Sequence, residues 1–227
     1  MKQLEGNRGP QLFIDIGANQ GLVTLQVQNL LKNKSKLEYI CVEPVKKYFD
    51  FLSKNIEIAR NKNPISLINC GLGTESNIDA VAYSSKRNAT STQVLQSSFD
   101  NFSKLSQVKI EILSTSEFIQ TNVDSKKFQN IVIKSDTDGS DVPIFINFMN
   151  SVIAKKISCY ILELVFINLS KKDRKLLQIE FNKFSSWLLI DRKGIGITDK
   201  KIIRQKVLTE NGFLGDIYLH GKFKTHI

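Results

Sequence analysis

The sequence predicts an α/β fold with a mostly parallel sheet and helices on both of its faces. The first observation is alternation, because short apolar runs typical of strands are followed repeatedly by segments whose apolar residues recur at helical spacing. The second is a glycine turn directly after the first strand. The third is acidic residues at the ends of strands, where open α/β sheets bind ligands. These observations predict a ligand site at the carboxyl edge of the sheet.

The elements are predicted in order along a single domain that spans residues 1–227. Strands are predicted at 12–16, 38–43, 65–70, 78–83, 109–113, 131–136, 160–166, 187–190 and 213–220. Helices are predicted at 22–32, 45–61, 116–119, 140–155 and 170–185. Residues 1–11 form a polar lead-in. The polar stretch 84–104 is interpreted either as a partly ordered flap near an acceptor site or as a disordered loop.

Composition indicates an ordinary globular protein, with 41% hydrophobic and 24% charged residues. There is no run of eighteen apolar residues, so no membrane span is predicted. The first residues contain no apolar segment typical of a signal peptide, which favours a cytoplasmic location. Cys41, Cys70 and Cys159 lie far apart in the sequence. They are predicted to be buried free thiols in a reducing compartment.

The positive charge is concentrated in one segment. The chain carries a net charge of +10, and residues 171–206 hold eleven Lys or Arg against four Asp or Glu. This surplus favours an anionic partner such as a nucleic acid, a phosphorylated glycan or a membrane surface. A solvated helix face explains the same residues equally well.

The glycine turn after the first strand favours one cofactor class over another. Dinucleotide-binding folds usually read G-x-G-x-x-G, which places a pyrophosphate on a helix N-terminus. Here the pattern is Asp-x-Gly-x-x-x-Gly, from Asp15 to Gly21. An acid at that position suits a ligand with an ammonium group, such as the methionine portion of S-adenosylmethionine, and repels a pyrophosphate. A turn that only joins strand to helix remains the alternative.

A second acid at the end of a strand supports a nucleoside ligand. Glu43 follows the second predicted strand and lies 22 residues after Gly21, close to the spacing of about 20 between a glycine turn and a ribose-binding carboxylate. Pro44 then ends the strand, because proline has no N–H for the sheet. Glu43 is therefore predicted to accept hydrogen bonds from both ribose hydroxyls of an adenosine.

A cluster of acids follows the buried strand 131–136. Asp136, Asp138 and Asp141 fall within six residues, directly after Lys134. Carboxylates so close together repel one another, and one of them can hold a raised pKa suitable for a general base. The same cluster could instead bind a divalent cation such as Mg²⁺. Asp141 is better explained as a helix cap.

These blocks, in this order, resemble the FkbM family of S-adenosylmethionine-dependent methyltransferases. The family's blocks are matched by Asp15–Gly21 (D-x-G-A-N-x-G), Val42–Pro44 (V-E-P), Asn69–Gly73 (N-x-A/G-L-G), Lys134–Asp141 (K-x-D-x-E-G-x-E) and the strand end Ile161–Glu163. Asp138 and Asp141 stand where the family usually has glutamate, which puts the family's geometry, and any metal inferred from it, in doubt.

The resemblance implies a Rossmann-like class I methyltransferase fold with a mostly parallel seven-stranded sheet. It implies methyl transfer to a hydroxyl, often of a sugar, a glycan or a related natural product. The charge of the basic segment separately favours an anionic acceptor. The cofactor-binding residues are then Asp15, Gly17, Ala18, Asn19, Gly21, Glu43, Pro44, Asn69, Cys70 and Gly71.

The acceptor chemistry is assigned to the acid cluster. A hydroxyl needs a base for its proton, and the only histidines, His220 and His226, lie near the C-terminus. Asp136 or Asp138 is therefore predicted to be the base or a metal-assisted activator, with Lys134 orienting the acceptor. His220 and Glu163 are the next candidates.

Two other functions remain open. A nucleic-acid methyltransferase is suggested by the basic segment, but the turn after strand 131–136 has no aromatic residue for base stacking. A catalytically idle module that only binds S-adenosylmethionine is the other alternative.

Overall fold

The computed structural model describes residues 9–31, 36–60, 62–85, 92–94, 105–165, 170–191, 193–209 and 214–221. Twelve strands are β1 (Gln11–Ile16), β2 (Leu37–Val42), β3 (Ile65–Ile68), β4 (Gly71–Gly73), β5 (Asn77–Ser85), β6 (Thr92–Val94), β7 (Leu105–Ser114), β8 (Asn130–Ser135), β9 (Ile157–Val165), β10 (Ser186–Asp191), β11 (Gly196–Ile197) and β12 (Leu214–His220). Six helices are α1 (Leu22–Leu30), α2 (Lys46–Ala59), α3 (Thr115–Asn122), α4 (Asp141–Met149), α5 (Lys171–Phe181) and α6 (Lys200–Thr209).

The central sheet confirms the predicted mainly parallel α/β fold. Its strand order is β11-β10-β12-β9-β8-β1-β2-β3. The pairs from β9 through β8, β1 and β2 to β3 are all parallel, whereas β12 pairs antiparallel with both β9 and β10. Seven strands were expected, and the described sheet has eight. The additional one is the two-residue β11, which pairs antiparallel with β10 at the outer edge.

A second, smaller sheet is inserted between β3 and α3. Its order is β4-β7-β5-β6, and it takes up the predicted strands 78–83 and 109–113. The strand predicted at 65–70 ends at Ile68, and β4 begins three residues later in the other sheet. Of the proposed flap 84–104, residues 84–85 and 92–94 are strand, as is residue 105 just beyond it. Residues 86–91 and 95–104 lie outside the described part.

Helices cover both faces of the central sheet because side chains alternate along each buried strand. In β1, Leu12, Ile14 and Ile16 join the largest core cluster, to which α3, α4, α5 and α6 contribute side chains. The opposite face carries Phe13, which clusters with Val27 of α1. The predicted helices on both faces are therefore confirmed.

Two local differences have physical causes. The helix predicted at 140–155 ends at Met149, where Asn150 turns its backbone N–H to three carbonyls of the last turn, and a short 3₁₀ turn follows at Ala154–Lys156.

Helix α6 and strand β11 were not predicted. In α6, Ile203 and Val207 are fully buried one turn apart, and its many basic residues conceal this narrow apolar stripe.

Two composition-based expectations can be compared with this fold. The three cysteines are free and buried. None of the helices in the described part of the chain has the length and apolarity that crossing a membrane requires.

Candidate active site

An open cleft lies where β1, β2 and β8 end and β4 begins. The cleft is lined by Ile16, Gly17, Asn19, Val42, Glu43, Pro44, Tyr48, Cys70, Gly71, Leu72, Asp136, Thr137, Asp138 and Ser140. The glycine turn, the acid after β2 and the acid cluster after β8, which lie far apart in sequence, therefore meet in one cavity.

The glycine turn is fixed by the strands on either side of it. Gly17 has φ +69°, and a Cβ there would lie 1.9 Å from the backbone oxygen of Asp136. The backbone N–H groups of Gly17 and Ala18 both donate to the carbonyl of Val42 at 3.0 Å. Because Gly17 has no side chain, β1 and β8 can lie close together at this point. Gly17 also lines the cleft.

Gly21 allows α1 to begin close to α2. Its φ is +84°, a left-handed conformation that glycine adopts without strain. A Cβ there would lie 2.5 Å from Cδ1 of Leu52 in α2.

Asp15 lies behind the turn and does not line the cleft. Its side chain is fully buried, and one carboxylate oxygen accepts a hydrogen bond from the Thr24 hydroxyl at 2.7 Å. The other oxygen lies 3.1 Å from Nζ of Lys134. The carboxylate predicted to meet a ligand's ammonium is thus already paired inside the protein.

Glu43 lines the cleft and joins two turns. Oε2 accepts the Asn19 backbone N–H at 2.9 Å, and Oε1 accepts the Val45 N–H at the same distance. Burial raises the pKa of Glu43, while the two backbone donors oppose that rise. Each carboxylate oxygen has a second lone pair, so the group can still accept hydroxyl hydrogen bonds.

The Asn69–Gly71 block forms another wall of the cleft. The Asn69 amide donates to the carbonyls of Glu43 (2.8 Å) and Pro44 (3.1 Å), which holds the chain after β2 in place. Burial raises the pKa of the Cys70 thiol to about 12, so this cysteine is neutral at physiological pH. Asn69 therefore supports the wall, while Pro44, Cys70 and Gly71 form its surface.

The acid cluster divides into two kinds of carboxylate. Asp136 and Asp138 line the cleft, and the Asp136 side chain is half exposed. Asp138 has φ +54°, which a β-branched residue would rarely adopt. Asp141 is buried and accepts the backbone N–H groups of Thr137 and Gly139 at 3.0 and 3.4 Å. Burial raises the pKa of Asp141 to about 6, and this residue holds the loop that presents the other two acids.

Further carboxylates lie on the neighbouring strands. Glu163 of β9 and Asp216 of β12 are paired directly across the sheet. Burial, together with the charges of Asp136, Asp141, Asp138 and Asp216, raises the pKa of Glu163 to about 8. Neither these acids nor His220 line the cleft.

The predicted metal site is not supported. The described residues contain no group of three or more His, Cys, Asp and Glu side chains arranged to hold a metal ion.

Sequence reasoning missed several cleft residues. Tyr48 of α2 lines the cavity, but nothing in its spacing marked it as a site residue. Leu72, Thr137 and Ser140 lie within matched blocks, which could have indicated them. None of the described residues of the basic segment lines the cleft.

The family comparison agrees with this geometry. The family described as Methyltransferase FkbM domain matches residues 15–195, well over half of the chain. The chain belongs to the FkbM methyltransferase family. All the matched blocks that carry the cleft fall inside this range. The assignment confirms the methyltransferase class that the blocks predicted.

Solved structures similar to this FkbM methyltransferase domain include other methyltransferases. TrmK of M. capricolum in complex with S-adenosyl-homocysteine is 13% identical, with 100% of this chain and 69% of that chain covered and a TM-score of 0.47. Precorrin-6y C5,15-methyltransferase of Geobacter metallireducens is 12% identical (97% and 86% covered, TM-score 0.42). Methyltransferase FkbM of Methylobacillus flagellatus is 12% identical (93% and 44% covered, TM-score 0.47). No curated protein matches the chain.

Proposed function

We propose that the protein is an S-adenosylmethionine-dependent O-methyltransferase that acts on a hydroxyl of a sugar, a glycan or a related natural product. The observation that carries this proposal is the position of Glu43. It is a buried carboxylate after β2 that lines the same cleft as the glycine turn and the acids after β8.

The cleft residues fit the cofactor by their chemistry. Glu43 keeps free lone pairs for ribose hydroxyls, while Pro44, Tyr48 and Leu72 give the cleft apolar surface for a nucleobase. When bound, the cofactor supplies an electrophilic methyl group on a sulfonium. The protein's part is to hold an acceptor oxygen in line with that methyl group and to exclude competing water.

Asp136 and Asp138 are proposed to take the hydroxyl proton. Their carboxylates are the acidic side chains of the cleft other than Glu43, whose two oxygens already accept backbone N–H groups. None of the lining residues in the described part of the chain is a histidine or a lysine. A carboxylate in hydrogen-bond reach of the hydroxyl is then the base that the cleft offers.

Asp136 has a competing role as partner of the cofactor's ammonium group. Asp15, the acid first assigned to that group, is buried and paired with Thr24 and Lys134. The two roles predict different behaviour of Asp136→Asn. Loss of turnover with unchanged affinity for S-adenosylhomocysteine supports the base, whereas loss of affinity supports the ammonium partner.

The proposal is tested by methyl transfer from labelled cofactor to a panel of free sugars, glycans, hydroxylated natural products and RNA. Label transferred to a hydroxyl supports the proposal. Transfer to RNA alone makes the protein a nucleic-acid methyltransferase. Binding of S-adenosylhomocysteine by calorimetry with no transfer to any acceptor class favours the idle binding module.

A further inference from the structure

The position of Lys134 in the structure suggests a role other than orienting the acceptor, the role predicted for it from the sequence. It lies on β8 directly beside Asp15 of β1, and its side chain is only 9% exposed. It does not line the cleft. With so little access to solvent, Lys134 is poorly placed to contact an acceptor that enters through the open cleft.

The ammonium group of Lys134 contacts both sides of the site. Nζ donates to the carbonyl oxygen of Gly17 at 2.9 Å and lies 3.4 Å from that of Ile16. It also lies 3.1 Å from the Asp15 carboxylate and 3.6 Å from the Asp136 carboxylate. One cation thus connects the glycine turn after β1 with the acid at the start of the loop after β8.

The charge of this group is maintained. Burial alone would lower the pKa of Lys134, but the carboxylates of Asp15, Asp136 and Asp141 outweigh burial and raise it. The lysine therefore stays protonated at neutral pH and does not act as a proton carrier. Asp15, held by the Thr24 hydroxyl, supplies its buried counter-ion.

The backbone around the lysine leaves little room for adjustment. The Asp136 N–H donates to the Ile16 carbonyl at 3.1 Å, and a Cβ on Gly17 would collide with the Asp136 carbonyl. A change in the position of the turn therefore moves Asp136 as well. Lys134 contacts both segments at this junction.

We propose that Lys134 is a positioning residue that couples the cofactor-binding turn to Asp136 across the β1–β8 junction. The proposal rests on the function proposed above. It predicts that removal of the Lys134 ammonium weakens cofactor binding even when the charge of its partner Asp15 is removed as well. If Lys134 had only a structural role, cofactor affinity would return once stability is restored.

The experiment compares four variants by calorimetric binding of S-adenosylhomocysteine and by thermal unfolding. Lys134→Met should unfold at lower temperature and bind about tenfold or more weakly, since a charge-assisted contact is lost. Lys134→Arg keeps the charge and should recover part of the affinity. Asp15→Asn with Lys134→Met removes the buried ion pair as a unit, and it should regain stability without regaining affinity. Lys46→Met, which removes an exposed lysine paired with Asp50, is the matched control and should bind normally.

The outcomes separate this proposal from the proposed function. If the double variant regains both stability and full affinity, or if Lys134→Met binds like the parent, Lys134 is structural and the positioning role is wrong. If the parent protein itself fails to bind S-adenosylhomocysteine, the proposed function fails before the variants are compared.

Discussion

Oε2 of Glu43 accepts the backbone N–H of Asn19 at 2.9 Å, which joins the turn after β1 to the end of β2. Asn19 has φ +51°, a left-handed conformation that Asn tolerates better than most residues. The carboxylate therefore has two roles, because it shapes the glycine turn and also lines the cleft.

Glu43→Gln should weaken the binding of S-adenosylhomocysteine by about 1.5–3 kcal/mol, the cost of losing hydrogen bonds to a charged group. Calorimetry measures this loss. Glu38→Gln is the matched control, since Glu38 lies on β2, the strand that Glu43 follows, but is ion-paired with Lys127. Equal affinity of the Glu43 variant and the parent would show that Glu43 does not bind the cofactor.

Asp136→Asn and Asp138→Asn should lower the methylation rate by roughly 10²–10⁴-fold, the usual effect of losing a positioned base. Asparagine also accepts the left-handed backbone of position 138, so the loop should be preserved. Single-turnover transfer of labelled methyl to an acceptor found in the screen measures the rate. Asp124→Asn, on an exposed turn, is the control.

The same assay tests whether a divalent cation takes part in methyl transfer. In the proposed mechanism a carboxylate takes the hydroxyl proton directly, so EDTA and added Mg²⁺ should both leave the rate of the parent unchanged. A rate that falls with EDTA and returns with Mg²⁺ would show that a cation takes part.

The basic segment should act at a distance if it guides an anionic acceptor, since none of its described residues lines the cleft. Lys172, Lys175 and Lys201 are exposed, and reversing all three to Glu should raise the acceptor KM and flatten its dependence on salt. Reversal of the exposed Lys54, Lys62 and Lys126 is the control with matched charge. An equal effect of both sets on the acceptor KM would show that the net charge of the protein causes it, and not the position of the basic segment.

Glu163 should make the protein less stable at higher pH. Its pKa is raised from 4.5 to about 8, so the folded state binds its proton more tightly than the unfolded state does. Stability attributable to this group is therefore present below pH 4.5 and is lost as the pH rises to 8. The pKa of Asp141 is raised from 3.8 to about 6, so this residue adds a loss of stability between these lower pH values. That loss is the same in the parent and in a variant of Glu163.

Glu163→Gln should consequently raise the unfolding temperature at pH 8 and leave it unchanged near pH 4.5. Discounted for the partial exposure of Glu163, the gain at pH 8 is about 1 kcal/mol, or roughly 2–4 °C. Calorimetric scans from pH 4.5 to 9 measure it, with Glu57→Gln as the exposed control. A gain that does not depend on pH would assign the effect to packing.

The strands and the cleft-forming blocks could be predicted because their signals are local. Short apolar runs marked β1, β2 and β8, and glycine or acid at their ends marked the turns. The pairing of Asp15 with Lys134 could not be predicted, since it depends on β1 and β8 being neighbours although 118 residues separate Ile16 from Lys134. Asp15 was therefore expected to face a ligand.

The second sheet could not be predicted for the same reason. A local apolar pattern predicts a strand but not its partner, and the pairing is what places β5 and β7 in a separate sheet. Asp216 was missed because its significance comes from pairing with Glu163 across two strands that are distant in sequence.

The most direct test of the account is calorimetric titration of the parent protein with S-adenosylhomocysteine and, separately, with NAD. The buried Glu43 and the cleft that it lines with the glycine turn predict saturable binding of S-adenosylhomocysteine, with a dissociation constant in the micromolar range, on the order of −8 kcal/mol. They predict no measurable binding of NAD. Tight binding of NAD with no response to S-adenosylhomocysteine would contradict the account.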